Sequence, residues 1–174
     1  MENIIIEFAK LILPAAAVLY AMYLVVKSFL DKDTSQRLAE IKLKNADTLL
    51  PIRLQAYERI ALLLERVTPS NLLPRLNDQS FSAPEFQQVL TFSIREEYNH
   101  NLSQQIYVSD LLWQLTTNAV EDVVGTINQA AQSLSDDAAG IDLAKKTFEL
   151  QSGKQNDPLT DALVALKNEV RTIF

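Results

Sequence analysis

The sequence predicts an all-α protein in which a single N-terminal transmembrane helix precedes a small helical-bundle domain. Three observations carry that expectation. Three glycines and six prolines are all that interrupt 174 residues. Ala, Leu, Gln, Glu and Lys are plentiful while runs of β-branched residues are few, so helix is favoured over strand nearly everywhere. The stretch "LILPAAAVLYAMYLVV", Leu11 to Val26, runs without a charge.

Extended from Ile4 to Leu30, that stretch makes a helix long enough to reach across a hydrocarbon layer of about 30 Å. Glu7, Lys10 and Lys27 then fall near the interfaces, where long side chains can snorkel. Tyr20 and Tyr23 lie inside the segment rather than in an interfacial belt, and Pro14 sits where it can kink the first turns. A cleaved signal peptide fits less well, because the amino end is acidic and no small-x-small site follows the apolar run. A buried core helix stays open as an alternative, since the strictly uncharged run is just short of the usual length of about 18 residues.

Lys10 alone precedes the run, whereas Lys27, Lys32, Arg37, Lys42 and Lys44 follow it closely. The positive-inside rule therefore puts residues 1–30 across a membrane with the N-terminus outside, and residues 31–174 in the cytoplasm as a helical domain. Asp31, Asp33 and Glu40 are interleaved with those bases and weaken any tight grip on anionic lipid.

Beyond the anchor, Asp33 or Thr34 can cap a short helix to about Asn45, with Leu38 and Ile41 on one face, and Asp47 to Pro51 resembles a turn. "PIRLQAYERIALLLERV" follows as a strong helix. Leu50, Leu54, Tyr57, Ala61 and Leu64 repeat at 4,3 spacing, and Ala56, Ile60, Leu63 and Val67 widen the seam, so this helix is buried on more than one side. Thr68 to Ser82 is a connection with room for a short turn around Asn71 to Leu76. Ser82 and Glu85 form a capping box with Pro84 in the first turn, which starts the next helix. From there the pattern fits one helix to about Leu134, or two that meet near Tyr107 to Asp110 with Ser109 as the second cap. Ser135 to Ala139 resembles a start for a helix reaching about Gln151. "SGKQNDP" is a linker, and Asp157 with Pro158 opens a last helix striped by Leu159, Ala162, Leu163, Leu166, Val170 and Phe174.

"REEYNHNLSQQIY", Arg95 to Tyr107, holds the chain's single histidine and four side-chain amides. On a helical wheel the apolar line through Phe86, Val89 and Leu90 continues to Ser93, Glu97, His100, Asn101 and Gln104, so polar groups face inward and need partners. One solution is a buried polar network of Arg53, Glu58, Glu97, His100, Asn101 and Gln104. Arg53 would pair with Glu96 or Glu97, Glu58 would pair with His100, and the network would fix helix register. The alternative is a metal site, because Glu97-x-x-His100 is the unit used twice in helical di-iron carboxylate proteins. A homodimer sharing Glu58 or Glu65, Glu97 and His100 would supply both halves.

Other chemistry is excluded by composition. With no cysteine there is no disulfide, thiolate nucleophile or Cys-ligated metal. Glu2 and Glu7 balance Lys10 and Lys27, so the domain carries the whole net charge of -6, which disfavours nucleic-acid binding. No Gly-rich phosphate loop, His-Glu-x-x-His pair or Ser/His/Asp arrangement stands out. Trp113 is as compatible with a core as with a contact.

The combination of "RLQAYERIALLLERV", "HNLSQQIYV" and Trp113 behind an N-terminal anchor resembles an uncharacterised group of small membrane-anchored proteins from Bacteroidota. The resemblance covers most of the chain and implies the topology and a bacterial setting, but transfers no functional residue. The expected role is non-enzymatic and cofactor-free: a scaffold or accessory subunit that contacts another protein or itself, with the last helix, Leu159 to Phe174, as a candidate surface. The homodimeric metal protein is the first alternative. A sensor of nearby lipid, using the basic residues after the anchor, is the second.

Overall fold

The structure, a computed structural model, describes residues 2–135 and 137–173; side chains are described except in residues 2–14 and at several positions between 31 and 46. The described residues form six α-helices and one 3-10 turn: α1 (Glu2–Val67), α2 (Pro69–Leu76), α3 (Ala83–Asn101), the turn Leu102–Ile106, α4 (Asp110–Gln132), α5 (Gly140–Ser152) and α6 (Pro158–Arg171). The all-α expectation therefore holds. The chain divides into two compact units at Leu50 and Pro51.

In the first unit, the expected short helix ending near Asn45 and the turn at Asp47 to Pro51 are absent, because α1 runs through them. The turn formers there include no glycine, and helix-favouring residues flank them on both sides. Thr48 donates its hydroxyl to the Lys44 carbonyl at 3.0 Å, which satisfies it inside the helix. Pro51 lacks an N–H for the carbonyl four residues back, so the ladder loses one bond where the two units meet in sequence. Leu38, Ile41, Asp33 and Thr34, on which the short helix and its cap were expected, fall among the side chains outside the description. The large apolar side chains from Val18 to Phe29 are all exposed. Among the described residues no helix is long and apolar enough to cross a membrane; residues 4–14 of the expected span lie outside the described side chains.

The second unit is built around α4. This helix buries Leu112, Thr116, Ala119, Val120, Val123, Val124, Thr126, Ile127 and Ala130 and packs against α3, α5 and α6. Three small or hydroxylated positions along it, Thr116, Ala119 and Ala130, let neighbouring helices approach closely. The core is continuous through Tyr57, Ile60, Leu63, Leu64 and Val67 of α1, Leu72 and Leu73 of α2, Phe86, Leu90 and Ile94 of α3, Leu143 of α5, and Leu159, Ala162 and Leu166 of α6. Buried hydroxyls do not disturb it: Thr116, Thr126 and Thr147 each donate to the carbonyl four residues earlier, at 2.7 to 2.8 Å.

The starts of α3 and α5 are tied to each other. Ala83 donates its amide to the Ala138 carbonyl and Gly140 donates to the Phe81 carbonyl, both at 2.8 Å, in an isolated antiparallel bridge between Ser82 and Ala139. The expected capping box is present, with the Ser82 amide donating to the Glu85 carboxylate at 2.9 Å. α5 begins later than Ser135, at Gly140, and its cap position is Ala139, which has no side-chain cap. The bridge substitutes for one, since it satisfies the Gly140 amide directly.

Gly140 is required by that close approach. A Cβ there would sit 3.0 Å from the Phe81 carbonyl oxygen and 3.4 Å from the Cβ atoms of Phe81 and Phe86. Gly125, exposed in the interior of α4, has nothing within 4 Å of the equivalent position. The two substitutions should therefore act oppositely: Gly125→Ala raises stability by about 0.5–1 kcal/mol, whereas Gly140→Ala lowers it by about 1–3 kcal/mol. Thermal or urea unfolding of the two variants checks this, and an equal effect of both would contradict the bridge.

Candidate functional site at the α3–α4 turn

The polar stretch Arg95 to Tyr107 is the end of a helix followed by a tight turn, and three of its side-chain amides bond within the stretch itself. α3 stops at Asn101. Asn101 donates its side-chain amide to the Glu97 carbonyl at 2.8 Å and Gln105 donates to the Leu102 carbonyl at 2.9 Å, so both side chains bond back onto the local backbone. Gln104 donates to the Ser103 hydroxyl at 3.1 Å. Asn101 and Gln104 are buried, as expected of inward-facing polar residues.

The rest of the expected network is arranged differently. The buried line of α3 runs Ala83, Phe86, Leu90, Ile94 and Asn101, so it passes through Ile94 rather than Ser93 and turns His100 outward. Glu58 and His100 are both exposed, and no hydrogen bond or ion pair joins them. Glu97 is held by Arg66, whose Nη1 reaches both carboxylate oxygens at 3.0 and 3.1 Å; Arg53, the expected partner, is elsewhere. Among the described residues no group of three or more His, Asp or Glu side chains is placed to hold a metal. Within one chain Glu58, Glu97 and His100 are thus not assembled as a ligand set, and Glu97 has its lone pairs committed to a guanidinium.

Arg53 instead takes part in a cluster that joins three helices. Its Nε donates to the Tyr107 carbonyl at 3.1 Å and its Nη2 to the Tyr57 hydroxyl at 2.7 Å. Tyr57, 2 % exposed, donates that hydroxyl to Glu169 of α6 at 2.9 Å. The Glu169 carboxylate also accepts the Ser109 amide at 2.9 Å and the Ser109 hydroxyl, while Ser109 caps α4 by accepting the Leu112 amide at 3.2 Å. A carboxylate at the first turn of α4 is further favoured by the partial positive charge of that helix end. One residue of α6 therefore closes the junction of α1, α4 and the turn between α3 and α4.

This environment shifts both titrating groups. Burial alone would raise the Glu169 carboxyl, but the hydrogen bonds from Ser109 and Tyr57 and the charge of Arg53 outweigh it and hold it below its ordinary value. Burial, then the hydrogen bond to Glu169 and its negative charge, push the Tyr57 phenol above its ordinary value, against the opposing pull of Arg53. Beside this junction Tyr98 and Trp113 stack with centroids 5.7 Å apart, and the Tyr98 and Thr117 hydroxyls share a hydrogen bond of 3.1 Å. Trp113 is thus a half-buried packing residue between α3 and α4.

Sequence reasoning missed Ser109–Glu169 and Tyr57–Glu169 because 60 and 112 residues separate the partners. A usable signal existed in Arg53 and Tyr57, which are four apart on one helix face, with an arginine beside an apolar seam and so in need of an acceptor.

A protein-family model matches residues 3–173 of the chain. The chain belongs to the family of unknown function DUF7935. The match spans both units, so α1 through α6 are family features, and the expected likeness to an uncharacterised family stands at that level. No curated protein and no solved structure matches the chain. Family membership therefore carries no activity to these residues.

The junction makes a signed prediction. Because the Glu169 carboxyl is held low, its contribution to stability is present above the carboxyl's unfolded value and is lost as pH falls towards its folded value. Tyr57 contributes below the ordinary phenol range and that contribution is lost as pH rises through its raised value. Stability measured against pH should therefore lose part of its acid limb in Glu169→Gln and part of its alkaline limb in Tyr57→Phe. Each variant should cost about 1–3 kcal/mol near neutrality. Unchanged limbs would remove the junction from the stability of the domain.

His100 yields the contrary expectation. Exposed and outside the cluster, it should be replaceable by alanine within about 0.5 kcal/mol, with the bound-metal content of purified protein the same in both forms. A metal lost specifically on His100→Ala would restore the shared-site alternative.

Proposed function

We propose that the protein is a single-pass inner-membrane protein of bacteria whose residues 51–174 act in the cytoplasm by binding another protein chain, without catalysis. The observation that carries this reading is the surface of α1 between Val18 and Phe29. Its large side chains are exposed around the whole helix rather than along one stripe. A helix joined to one partner helix needs an apolar stripe; one that is apolar all round is buried on every side, as in lipid. The bases that follow the run support the cytoplasmic assignment of the domain.

Support for binding rather than chemistry comes from how the reactive groups are used. In the polar cluster of Arg53, Tyr57, Ser109 and Glu169, the two groups with shifted pKa values, Tyr57 and Glu169, bond each other across helices, and Glu169 also accepts from Ser109 at the start of α4. That is how structural junctions, as well as active sites, come to perturb pKa values. The exposed groups of the expected metal alternative are not drawn together, so nothing in the geometry favours a second reading.

The test is membrane fractionation. Full-length protein should sediment with membranes and resist extraction by alkaline carbonate, while a form lacking residues 1–30 should be released. A full-length protein that carbonate extracts completely would overturn the anchor. In spheroplasts, protease added from outside should leave residues 51–174 intact; cleavage there would overturn the cytoplasmic assignment.

A further inference from the structure

We propose that the uncharged groove between α3 and α4 is the surface through which two copies of this chain pair. The two helices run antiparallel across it: Gln87 donates to Asn128 at 2.9 Å, Arg95 pairs with Glu121, and Tyr98 meets Thr117. Two adjoining depressions share Gln87. The larger, about 700 Å³, is lined by residues that include Gln88, Val89, Phe92 and Asn128; the smaller, about 210 Å³, reaches Gln132. No described residue lining either one is charged. The Arg95–Glu121 pair lies beyond the groove, on the side toward Tyr98.

Three features select a second copy as the occupant. The chain carries a net charge of -6, so two copies repel one another on approach and meet at least cost where neither is charged. The polar lining is mainly side-chain amide, and an amide is both donor and acceptor, so the same patch complements itself across a two-fold axis. A carboxylate or an ammonium could not do this, and a charged peptide or nucleic acid would find no counter-charge. Finally, the groove carries its own knob: Phe92 is 68 % exposed on its rim, next to a depression large enough to take a phenyl ring. In a two-fold pair each Phe92 enters the depression of the other copy, and the Gln88 and Asn128 amides meet around it. Aromatic anchors seated in such pockets carry most of the energy of an interface.

Pairing gives the partner in the binding function proposed above, and it rests on that reading only for its strength. Copies held in one membrane meet at raised effective concentration. The chemistry of the groove is independent of the anchor.

Full-length protein in mild detergent, followed by light scattering across concentration, tests the pairing. The chain should pass from monomer to dimer, and Phe92→Asp and Gln88→Glu should each weaken the dimer at least about tenfold. Both side chains are exposed, so unchanged helical signal and melting would show that the fold is kept. Since the chain has no cysteine, Gln88→Cys supplies a single thiol, and a short bis-maleimide should link two copies in membranes, whereas Lys167→Cys, on α6, should not. A monomer at every concentration overturns the proposal, as does a dimer indifferent to both charges, or a groove filled by a different protein on a monomeric chain. Carbonate extraction is read separately. Membrane-bound monomers would defeat the pairing alone, and extractable dimers would defeat the anchor alone.

Discussion

α4 has to hide more than one face at once, and the arrangement of the folded unit follows from that constraint. Its buried positions run from Leu112 to Ala130 and include neighbours such as Val123 with Val124 and Thr126 with Ile127. Adjacent residues on a helix point about 100 degrees apart, so a single partner cannot cover both members of such a pair. α3, α5 and α6 all pack against it. Burial of this kind is worth about 25 cal/mol per Å² of apolar surface, and no other helix in the unit presents so continuous a buried surface.

Apolar packing leaves the register of the surrounding helices loosely determined, and polar contacts supply what it lacks. Arg95–Glu121 aligns α3 with α4, Lys154 reaches Asp122 and Thr126 from the segment after α5, and Glu169 locks α6 against the start of α4 and against Tyr57. Exposed pairs among these contribute little free energy. The Glu169 junction differs because it is partly enclosed and fully hydrogen-bonded, so removing one member strands the others. Its location at a helix N-terminus, where amides need acceptors in any case, makes a carboxylate there inexpensive to enclose.

What could be seen in the sequence was the part written in local chemistry. Ser82 with Glu85, Ser109 before Asp110, and Asp157 before Pro158 each specify a helix start through contacts of two or three residues, and all three open helices where expected. The core positions of residues 56–67 were legible in part: Tyr57 and Leu64 of the expected seam and Ala56, Ile60, Leu63 and Val67 beside it are buried, whereas Leu54 is exposed. Pro51 misled because a proline preceded by Asp47 and Thr48 has the composition of a turn, while the backbone can lose one hydrogen bond and continue when both flanks favour helix. The wheel through α3 drifted for a different reason. Val89 and Ser93 lie beside the true stripe of Phe86, Leu90 and Ile94, and a shift of one position at the start carries His100 to the wrong face further along, while Glu97 stays half-buried beside the stripe. Asn101 and Gln104 were still found, since the helix ends between them and the turn restores the inward direction. Contacts such as Tyr57–Glu169 depend on how whole helices are placed and leave no local trace.

Two apolar or neutral surfaces remain outside the core, and their shapes differ in a way that separates their roles. From Val18 to Phe29 large apolar side chains project from every side of one helix, so whatever covers them must surround the helix and needs no particular orientation about its axis. Lipid meets that description, because it solvates without directional contacts. The α3–α4 groove is one-sided, bounded by an ion pair and edged by amides whose hydrogen bonds are directional. A solvent cannot use that directionality, whereas a shaped partner can. In the proposed function the first surface is what lipid covers, and in the proposed pairing the second is what meets another copy.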